Sequence, residues 1–513
     1  MPRKGLPKVR TGRVTCKVRK IKCDESRPEC QRCKSTGRTC DGYKPPPSGS
    51  YSWSHLLRGR PRPALTPTPS ADPIELRGLA FFRQVVAPVL GGPLDGSFWT
   101  HLVAQVTYSE PAARHAVLAI SSLYEAFGAR QLELEFAPPH DGNEFAIKHY
   151  NSAIRHIVTP HASSGSIDTV LLVCVLFICI EFLRGDAKAA ISHVSHGISL
   201  LNSSKARSDI VSTFRHLAIF PYSITGDAAT FPVLEDAHLP PTSGGSFEDL
   251  FQAQGSLDSL LSRSVRLVRT SEHHRLGLGP ELQSLESAAW DQRRFDGDLD
   301  AWWSAFSISR EGFQLPDPHE ATLLTLEVRW LAAKILTSTC LSPDETIYDA
   351  HMDRFRRIVE IATQEQATRT TTSPTKSPKF TFVMGFCPVL YFVVVKCRHL
   401  KLRLAALTLM KTLPCPRETL WDAVTLHAIG TRMIEIEHGI EVTPDEIKTL
   451  QSMDESELAL PEDGKRIRDS TLEAGLDVRK GDGGTRVVRR KIRFLVRSWN
   501  GSIEAMHDWV TMK

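Results

Sequence analysis

Five cysteines near the N-terminus are the residues of this chain best suited to chemistry, because thiols in a tight group can hold a metal ion. The remaining six cysteines mostly stand singly in apolar or helical surroundings, as core thiols do. The N-terminal residues are basic but lack the apolar stretch of a secretory signal, so we expect a reducing compartment. In that setting the group indicates metal ligation rather than disulfide bonds. Its members are Cys16, Cys23, Cys30, Cys33 and Cys40.

The spacing of these cysteines repeats. Cys30, Cys33 and Cys40 form the pattern C-x2-C-x6-C, and the same pattern shifted back by 17 residues predicts thiols at positions 13, 16 and 23. Two of these thiols are present, and Arg13 occupies the remaining position. Zinc prefers four tetrahedral ligands, so two units of three thiolates satisfy two ions only if two thiolates bridge both. The repeat therefore predicts a two-zinc site in which one ligand is replaced.

Four cations lie between the first two cysteines, and the segment around them is strongly basic. Residues 1–44 contain 14 Lys or Arg and 4 Asp or Glu, a balance of +10, whereas the whole chain carries +5. The other 469 residues therefore sum to −5. A compact basic head on a mildly acidic body is typical of nucleic-acid binding, and a solvated basic tail is the alternative. The cysteines favour nucleic-acid binding, since the basic run lies inside the predicted metal site.

The segment TGRVTCKVRKIKCDESRPECQRCKSTGRTCDGY resembles the fungal binuclear zinc cluster, the Zn2Cys6 DNA-binding domain. The similarity includes the basic run C-K-x-R-K-I-K-C, Pro28 in the loop between the halves, and the exit G-R-x-C-D-G-Y. The resemblance implies that zinc is the cofactor, with two ions in the family, and that all five cysteines are ligands. It also implies that the positions of Arg13 and Cys30 are those of the two bridging ligands.

The resemblance further implies that a short helix opening at Cys16 enters the major groove of double-stranded DNA and reads a CGG-like half-site. Arg19 and Lys20 then take the positions that face base edges, and Lys17 and Lys22 flank them toward phosphates. Basic side chains suit this role because guanine presents its O6 and N7 acceptors in the major groove. Phosphate contacts make such binding strongly dependent on salt.

Arg13 departs from the family pattern, and a guanidinium cannot ligate zinc. Each ion is then left with three thiolates, and Cys30 is shared by both. The two sets are Cys16, Cys23 and Cys30, and Cys30, Cys33 and Cys40. We expect one or two weakly held zinc ions, or a single four-thiolate site; a sequence variant at this codon is an equally compatible explanation. Water or a carboxylate could complete a set, the candidates being Asp24, Glu25, Glu29 and Asp41.

Residues 1–43 form the predicted zinc-cluster head, and residues 44–73 form a linker with eight prolines among Ser, Gly and Thr. Such a composition is typical of an extended or disordered segment. The linker shows no sustained heptad pattern, so a homodimer formed through it is not favoured, and the oligomeric state stays open.

The helical period dominates residues 74–513. It predicts a mostly α fold, with a large all-α regulatory domain of packed antiparallel helices and loops near 364–379 and 457–485. Asp168 is predicted to cap a helix that Gly185 ends, and Asp186 to start the next helix. The longest apolar run, 170–180, has 11 residues and is too short to span a membrane, so we expect no membrane partner.

The body also resembles a known regulatory domain. Stretches such as YSEPAARHAVLAISSLYE and CIEFLRGDAKAAISHVSHGISLL look like the fungal-specific transcription factor domain that follows such zinc clusters. Together the two resemblances imply a nuclear, sequence-specific regulator of RNA polymerase II transcription, which binds double-stranded DNA and the transcription machinery or co-regulators. The alternative is an interaction protein whose head, impaired by Arg13, no longer binds DNA.

Other functions have less support. His193 and His196 share a helical face without a third ligand nearby, and the chain contains neither HExxH nor GxSxG, so we expect no enzyme. A single-zinc protein-binding module is disfavoured because it has no physical need for four closely spaced cations. A second basic run, RVVRRKIRFLVRSW, has six cations between Arg486 and Arg497. We interpret it as the solvated face of a helix or strand, and a second nucleic-acid patch is the alternative.

Overall fold

The computed structural model of the chain describes residues 14–21, 23–24, 30–37, 39–40, 72–92, 96–130, 144–158, 166–220, 231–235, 245–313, 320–372, 378–454, 458–480 and 486–512. The chain divides into two compact units, Met1–Arg58 and Gly59–Lys513, which we call the head and the body. Arg13, Lys22 and the predicted linker up to residue 71 lie outside the described residues.

Two short helices form the described part of the head: α1 (Val14–Val18) and α2 (Gln31–Lys34). A turn follows α1, in which the amide of Ile21 donates to the carbonyl of Cys16 at 3.1 Å. The buried side chains are cysteines, and none of the described head residues is a buried large apolar residue. Apolar packing therefore contributes little stability to this unit.

The described part of the body is mostly α, which confirms the predicted fold class. None of its helices is long and apolar enough to cross a bilayer. Its helices are α3 (Pro73–Phe81), α4 (Ala87–Leu90), α5 (Ala104–Ser109), α6 (Pro111–Arg130), α7 (Glu144–Val158), α8 (Ile167–Arg184), α9 (Ala187–Asn202), α10 (Ser208–Leu217), α11 (Leu250–Thr270), α12 (Glu272–Leu276), α13 (Leu285–Ser309), α14 (Glu320–Thr339), α15 (Met352–Thr372), α16 (Phe386–Lys396), α17 (Leu400–Leu409), α18 (Ala423–His438) and α19 (Pro444–Ser452).

Shorter elements connect these helices. Two π-helical segments, Phe82–Val86 and Phe98–Val103, and two 3-10 turns, Glu345–His351 and Asp463–Lys465, lie between them. The strands are β1 (Phe380–Thr381), β2 (Arg417–Glu418), β3 (Trp421–Asp422), β4 (Asp469–Lys480), β5 (Arg486–Arg497) and β6 (Ile503–Met512).

The helical hairpin of α8 and α9 shows how local signals set helix ends. Gly185 ends α8 in the left-handed region with a φ of 75°, and Asp186 caps α9, as the sequence predicts. The predicted cap of α8 is wrong. The side chain of Ser166 caps this helix, whereas Asp168 lies in its first turn and accepts a hydrogen bond from the amide of Arg207 at 3.0 Å.

An antiparallel sheet of β4, β5 and β6, in that order, adds an element that the sequence did not predict. One face of this C-terminal sheet packs against α18, because Val488, Ile492 and Phe494 alternate along β5 and are buried there. The loop predicted near 457–485 is therefore wrong over the twelve residues of β4. Leu472, Leu476 and Val478 follow a period of two in β4, but the polar, Gly-rich composition of this part of the chain favoured a loop in the sequence analysis. The pairing of β4 with β5 shifts between Leu472 and Leu476.

The loop predicted near 364–379 is also partly wrong. Helix α15 continues to Thr372, even though this stretch is rich in Thr, Gln and Ala rather than in large apolar residues. An ion pair between Glu365 and Arg369, 2.7 Å apart and one turn distant, supports this end of the helix. The loop prediction for positions 373–377 lies outside the described residues.

Buried charges tie α16, α17 and α18 to the start of the sheet. The carboxylate of Glu437 lies 3.2 Å from Arg398 Nη2 and 2.5 Å from Arg403 Nη1, and all three side chains are fully buried. The amide of Ile467 also donates to Glu437 at 2.7 Å. Burial on its own raises the pKa of Glu437, but the two guanidinium groups hold that pKa below its usual value. The carboxylate is therefore compensated rather than isolated.

Candidate metal centre and nucleic-acid interface

The five N-terminal cysteines come together in two groups that share Cys30. The Sγ atoms of Cys16, Cys23 and Cys30 lie within 4.8 Å of one another, and so do those of Cys30, Cys33 and Cys40. The Sγ atoms of Cys16 and Cys30 are 3.5 Å apart. The structure therefore groups the thiols in the two sets that the family resemblance implies.

Local hydrogen bonds place these thiols. Cys30 precedes α2, and its carbonyl accepts the amide of Cys33 at 3.0 Å, which holds both thiols at one end of the helix. The Oδ2 atom of Asp24 accepts the amide of Gln31 at 2.9 Å. This carboxylate therefore supports the start of α2 and is not grouped with the thiols, so it is not a ready replacement ligand. The other candidate carboxylates lie outside the described residues: Glu25, Glu29 and Asp41.

The donor chemistry of the two groups fits zinc. Burial raises the pKa of the Cys16 and Cys30 thiols, and a coordinated divalent ion reverses this preference because it binds the thiolate. A structural zinc ion takes four ligands, whereas each group offers three thiols. The residues therefore suit zinc in type and leave each ion one cysteine short.

The predicted DNA-contacting cations have different surroundings. Lys20 is exposed, and its φ of 56° puts it in the left-handed region, which is unusual for Lys. Arg19 is half-buried, and its Nη1 donates to the carbonyl of Arg32 at 3.3 Å and to Thr36 Oγ1 at 3.1 Å. Two predicted contacts lie beyond the described side chains: Lys17, whose backbone is in α1, and Lys22.

Arg19 connects the two halves of the head. It follows α1, whereas Arg32 and Thr36 belong to the second half of the cysteine repeat. Sequence analysis missed this contact because its partners are 13 and 17 residues away and one of them is a backbone carbonyl. The left-handed backbone at position 20 was not predicted either, since the turn contains neither Gly nor Asn, the residues that most often adopt this conformation.

The histidine pair singled out in the sequence is structural. His193 packs against Phe177 with ring centroids 5.7 Å apart, and burial lowers its pKa to about 4. The carbonyl of His193 accepts the thiol of Cys174 at 3.2 Å. Within the described residues, the two thiol groups of the head are the sites that bring three candidate metal ligands together.

Comparison with known proteins gives two family matches. The Fungal Zn(2)-Cys(6) binuclear cluster domain matches residues 14–50, and the Fungal specific transcription factor domain matches residues 79–387. The first match begins immediately after Arg13. Both descriptions are of transcription regulators and not of an enzyme family. No solved structure matches the chain.

Three curated fungal proteins are similar to this chain. The aspercryptin biosynthesis cluster-specific transcription regulator atnN of Emericella nidulans is 28% identical over 408 residues, which cover 69% of this chain and 63% of that protein. The transcription regulator lscL of Purpureocillium lilacinum is 32% identical over 211 residues, with coverages of 38% and 49%. The Zn(2)-C6 fungal-type transcription factor afumD of Aspergillus fumigatus is 28% identical over 246 residues, with coverages of 45% and 62%. The chain thus spans between about half and just under two thirds of these relatives.

Proposed function

The chain belongs to the fungal zinc-cluster transcription factors, and on that premise we propose that it is a zinc-dependent, sequence-specific DNA-binding protein that regulates RNA polymerase II transcription in the nucleus. One observation carries the proposal: two thiol groups share Cys30 beside a turn that presents Lys20 to solvent. Zinc bound by these groups supplies the folding energy that the head lacks. The proposed partners are double-stranded DNA and the transcription machinery or its co-regulators.

Lys20 is the proposed reader of base edges. Its ammonium group can donate to guanine O6 and N7 in the major groove, which suits a CGG-like half-site. Arg19 is the second proposed base contact, and its bonds to Arg32 and Thr36 make it a positioning residue for the turn as well. Lys17 and Lys22 are proposed to contact phosphates, which fix the register of the head on the duplex.

The zinc site of the head is proposed to depart from the family pattern, because one cysteine of the repeat is missing. Cys16, Cys23 and Cys30 would hold one ion, and Cys30, Cys33 and Cys40 the other. Because each set lacks a fourth cysteine, we expect weaker binding than a full set of six thiolates gives. Metal analysis of the purified full chain after dialysis checks this, and two tightly held ions per chain would contradict it.

The test of the proposed function is binding of the zinc-loaded full chain to matched duplexes that contain either CGG or a scrambled triplet. We expect Lys20→Ala to lower the CGG-to-scrambled affinity ratio by roughly 10- to 100-fold, since a good base contact is worth about 1–3 kcal/mol. Lys34→Ala is the matched control, because Lys34 is exposed at the end of α2. It should leave that ratio unchanged. Equal affinities of the unmodified chain for both duplexes would refute sequence-specific reading.

Arg13 supports a second candidate, an interaction protein that no longer binds DNA itself. The substitution Arg13→Cys restores the first thiol of the repeat. If the unmodified chain and Arg13→Cys both prefer CGG, the head tolerates the missing thiol and the first proposal holds. If only Arg13→Cys prefers CGG, the chain acts through protein partners of its body instead.

A further inference from the structure

The hairpin of β4 and β5 in the C-terminal sheet carries a second concentration of positive charge. Residues 478–493, which form the end of β4, the connection and most of β5, contain seven Lys or Arg and one Asp, a balance of +6. They belong to a stretch, residues 45–513, whose total charge is −5. The hairpin is therefore locally positive within a body whose net charge is negative.

The register of the sheet sorts these cations by face. Because Val488, Ile492 and Phe494 are buried against α18, the odd-numbered residues of β5 project from the opposite face. Arg489, Lys491 and Arg493 therefore form one row, which we call the basic stripe. Their direct partners on β6 are Thr511, Trp509 and His507.

The stripe is only partly compensated. Lys491 lies 3.0 Å from Glu473, which also pairs with His507 at 3.2 Å. Arg489 stands over the ring of Trp509, with its Cζ 5.6 Å from the ring centroid. Neither Arg489 nor Arg493 makes an ion pair with any described residue.

Two arginines near the opposite end of the sheet differ from the basic stripe, because they are buried and paired with carboxylates. Arg466 lies 2.8 Å from Asp349, and Arg468 lies 2.5 Å from Asp463; both guanidinium groups are buried. Each of these two buried cations is thus neutralised by a carboxylate. The basic stripe has no role in the core, so the charges of Arg489 and Arg493 are available to a partner, whereas Lys491 is shared with Glu473.

From this arrangement we infer that the basic stripe binds the phosphate backbone of double-stranded DNA without reading its sequence. Alternate residues of a strand are about 6.8 Å apart, which gives a straight row of fixed cations. DNA offers a regular row of anions, with one phosphate per about 3.4 Å of axis on each strand. The neighbours Thr471, His507 and Thr511 are polar and can donate to phosphate oxygens.

DNA fits this face better than an acidic protein does. A protein partner needs buried apolar or aromatic anchors at the centre of its interface. Trp509 is half-buried and engaged with Arg489, and the apolar residues Val487 and Leu495 lie at the two ends of the stripe rather than at its centre. The surface therefore suits a partner that is recognised by charge. This contact lies outside the head and adds to the DNA binding of the proposed function.

The test compares the zinc-loaded full chain with the triple variant Arg489→Gln, Lys491→Gln and Arg493→Gln on CGG and scrambled duplexes of roughly 40 base pairs, long enough to reach beyond one contact site, across a salt series. We expect the variant to bind both duplexes at least tenfold more weakly at about 0.1 M salt. The slope of log K against log salt should become shallower by about 2 to 3, since each phosphate contact contributes about 0.9. The CGG-to-scrambled ratio should not change.

Two matched variants separate this effect from general loss of charge. The triple variant Arg83→Gln, Lys148→Gln and Lys188→Gln removes the same charge from exposed helical positions of the body, and should have little effect. The pair Arg489→Lys and Arg493→Lys keeps the charge of the stripe and should keep the affinity. Circular dichroism and the melting temperature verify that each variant is folded.

An affinity loss in the stripe variant no larger than in the control triple overturns the inference. Stripe-dependent binding to polyglutamate with unchanged binding to both duplexes also overturns it, and assigns the face to an acidic protein. The outcome is distinguishable from failure of the proposed function. If the head does not read CGG, the affinity ratio is one in every variant, whereas the stripe effect is measured on the scrambled duplex alone.

Discussion

The head and the body of this chain are stabilised by different kinds of interaction. The buried cluster of the head consists of cysteines. In the body, Trp302 and Phe306 stack with ring centroids 4.7 Å apart within one of several apolar clusters. A unit held by thiols depends on its metal, whereas a unit held by apolar burial does not. We therefore expect the zinc content of the head and the free energy of unfolding of the body to change independently when metal is removed, the pH is lowered or a residue is substituted.

The largest expected effect is loss of the shared thiol. Cys30→Ser removes a ligand from both groups, and structural zinc contributes roughly 10–16 kcal/mol in small zinc peptides. We therefore expect the zinc content to fall close to zero and CGG binding to disappear, while the melting temperature of the body stays unchanged. Metal analysis and calorimetry measure both quantities.

The matched control for this change is Cys174→Ser. This thiol is buried in α8 and donates to a backbone carbonyl, a role that a serine hydroxyl can take. The variant should keep all of its zinc. Zinc loss in this control, or full zinc retention in Cys30→Ser, would contradict the claim that zinc stabilises the head whereas apolar burial stabilises the body.

The next largest effect lies in the body. Glu437→Gln leaves the buried guanidinium group of Arg403 without its carboxylate, and leaves that of Arg398 with Glu345 as its remaining carboxylate partner. Breaking a buried pair in this way costs about 3–5 kcal/mol, so we expect a lower free energy of unfolding for the body and unchanged zinc content. The control is Asp445→Asn, which removes an exposed partner of Lys448 and should cost at most about 1 kcal/mol. Equal effects of the two changes would show that the buried network is not stabilising.

The response of the body to acid depends on buried groups with opposite effects on its stability. Burial raises the pKa of Glu418 to about 7, although its carboxylate accepts the amides of Gly385 and Cys387. Its pKa in an unfolded chain is about 4.3, so the folded body binds this proton more tightly and loses up to about 3 kcal/mol of stability as the pH rises from about 4 to 7. Zinc binding by the head has the opposite dependence, because protons compete for the thiolates.

We expect acidification from pH 7.5 to 5 to weaken zinc binding and, on balance, to lower the melting temperature of the body. Burial lowers the pKa of His115, His193 and His427 to about 4, so these side chains stay neutral in the folded body while they bind protons in the unfolded chain below a pH of about 6.5. Each of these pKa shifts is similar in size to that of Glu418 and has the opposite effect on stability, so together the three outweigh it. Glu418→Gln should therefore steepen the loss of body stability on acidification and leave the pH dependence of the head unchanged. The same slope in both proteins would show that Glu418 does not oppose the histidines.

The smallest expected effect concerns packing of the helices. A Cβ atom at Gly197 in α9 would lie 2.2 Å from the ring of Phe214, whereas a Cβ at Gly297 in α13 meets nothing within 4 Å. We expect Gly197→Ala to destabilise the body by about 1–3 kcal/mol and Gly297→Ala to stabilise it by up to about 1 kcal/mol. Urea unfolding of the two variants measures the difference. A change in zinc content in either one would break the separation of head and body.

The thiol groups were predictable because their ligands follow a repeat in the sequence. The repeat units came from spacing alone, whereas the shared role of Cys30 and the two sets of three cysteines were implied by the resemblance to the zinc-cluster family. The contact of Arg19 with the second half was not predictable, because it joins residues that are distant in the sequence and ends on a carbonyl. Lys20 was named from the resemblance to the zinc-cluster family, but its left-handed backbone depends on how the chain turns after α1.

In the body, strong local signals succeeded and context-dependent ones failed. Gly185 and Asp186 marked their helix ends, because left-handed glycine and a capping carboxylate act within one turn. Ser166 and Asp168 were interchangeable as caps by residue type, and the alternative partner of Asp168 decided between them. The strand β4 was missed because its polar, Gly-rich surroundings favoured a loop, and because its stability depends on pairing with β5.

The most direct test of the central claim is the affinity of the full chain for CGG and scrambled duplexes before and after zinc is removed by a chelator. The account predicts a clear preference for CGG when zinc is bound and an affinity ratio of one after chelation, with restoration on return of zinc. Residual affinity for both duplexes after chelation is consistent with the basic stripe. A preference that survives chelation, or none in the zinc-loaded chain, would contradict zinc-dependent reading by the head.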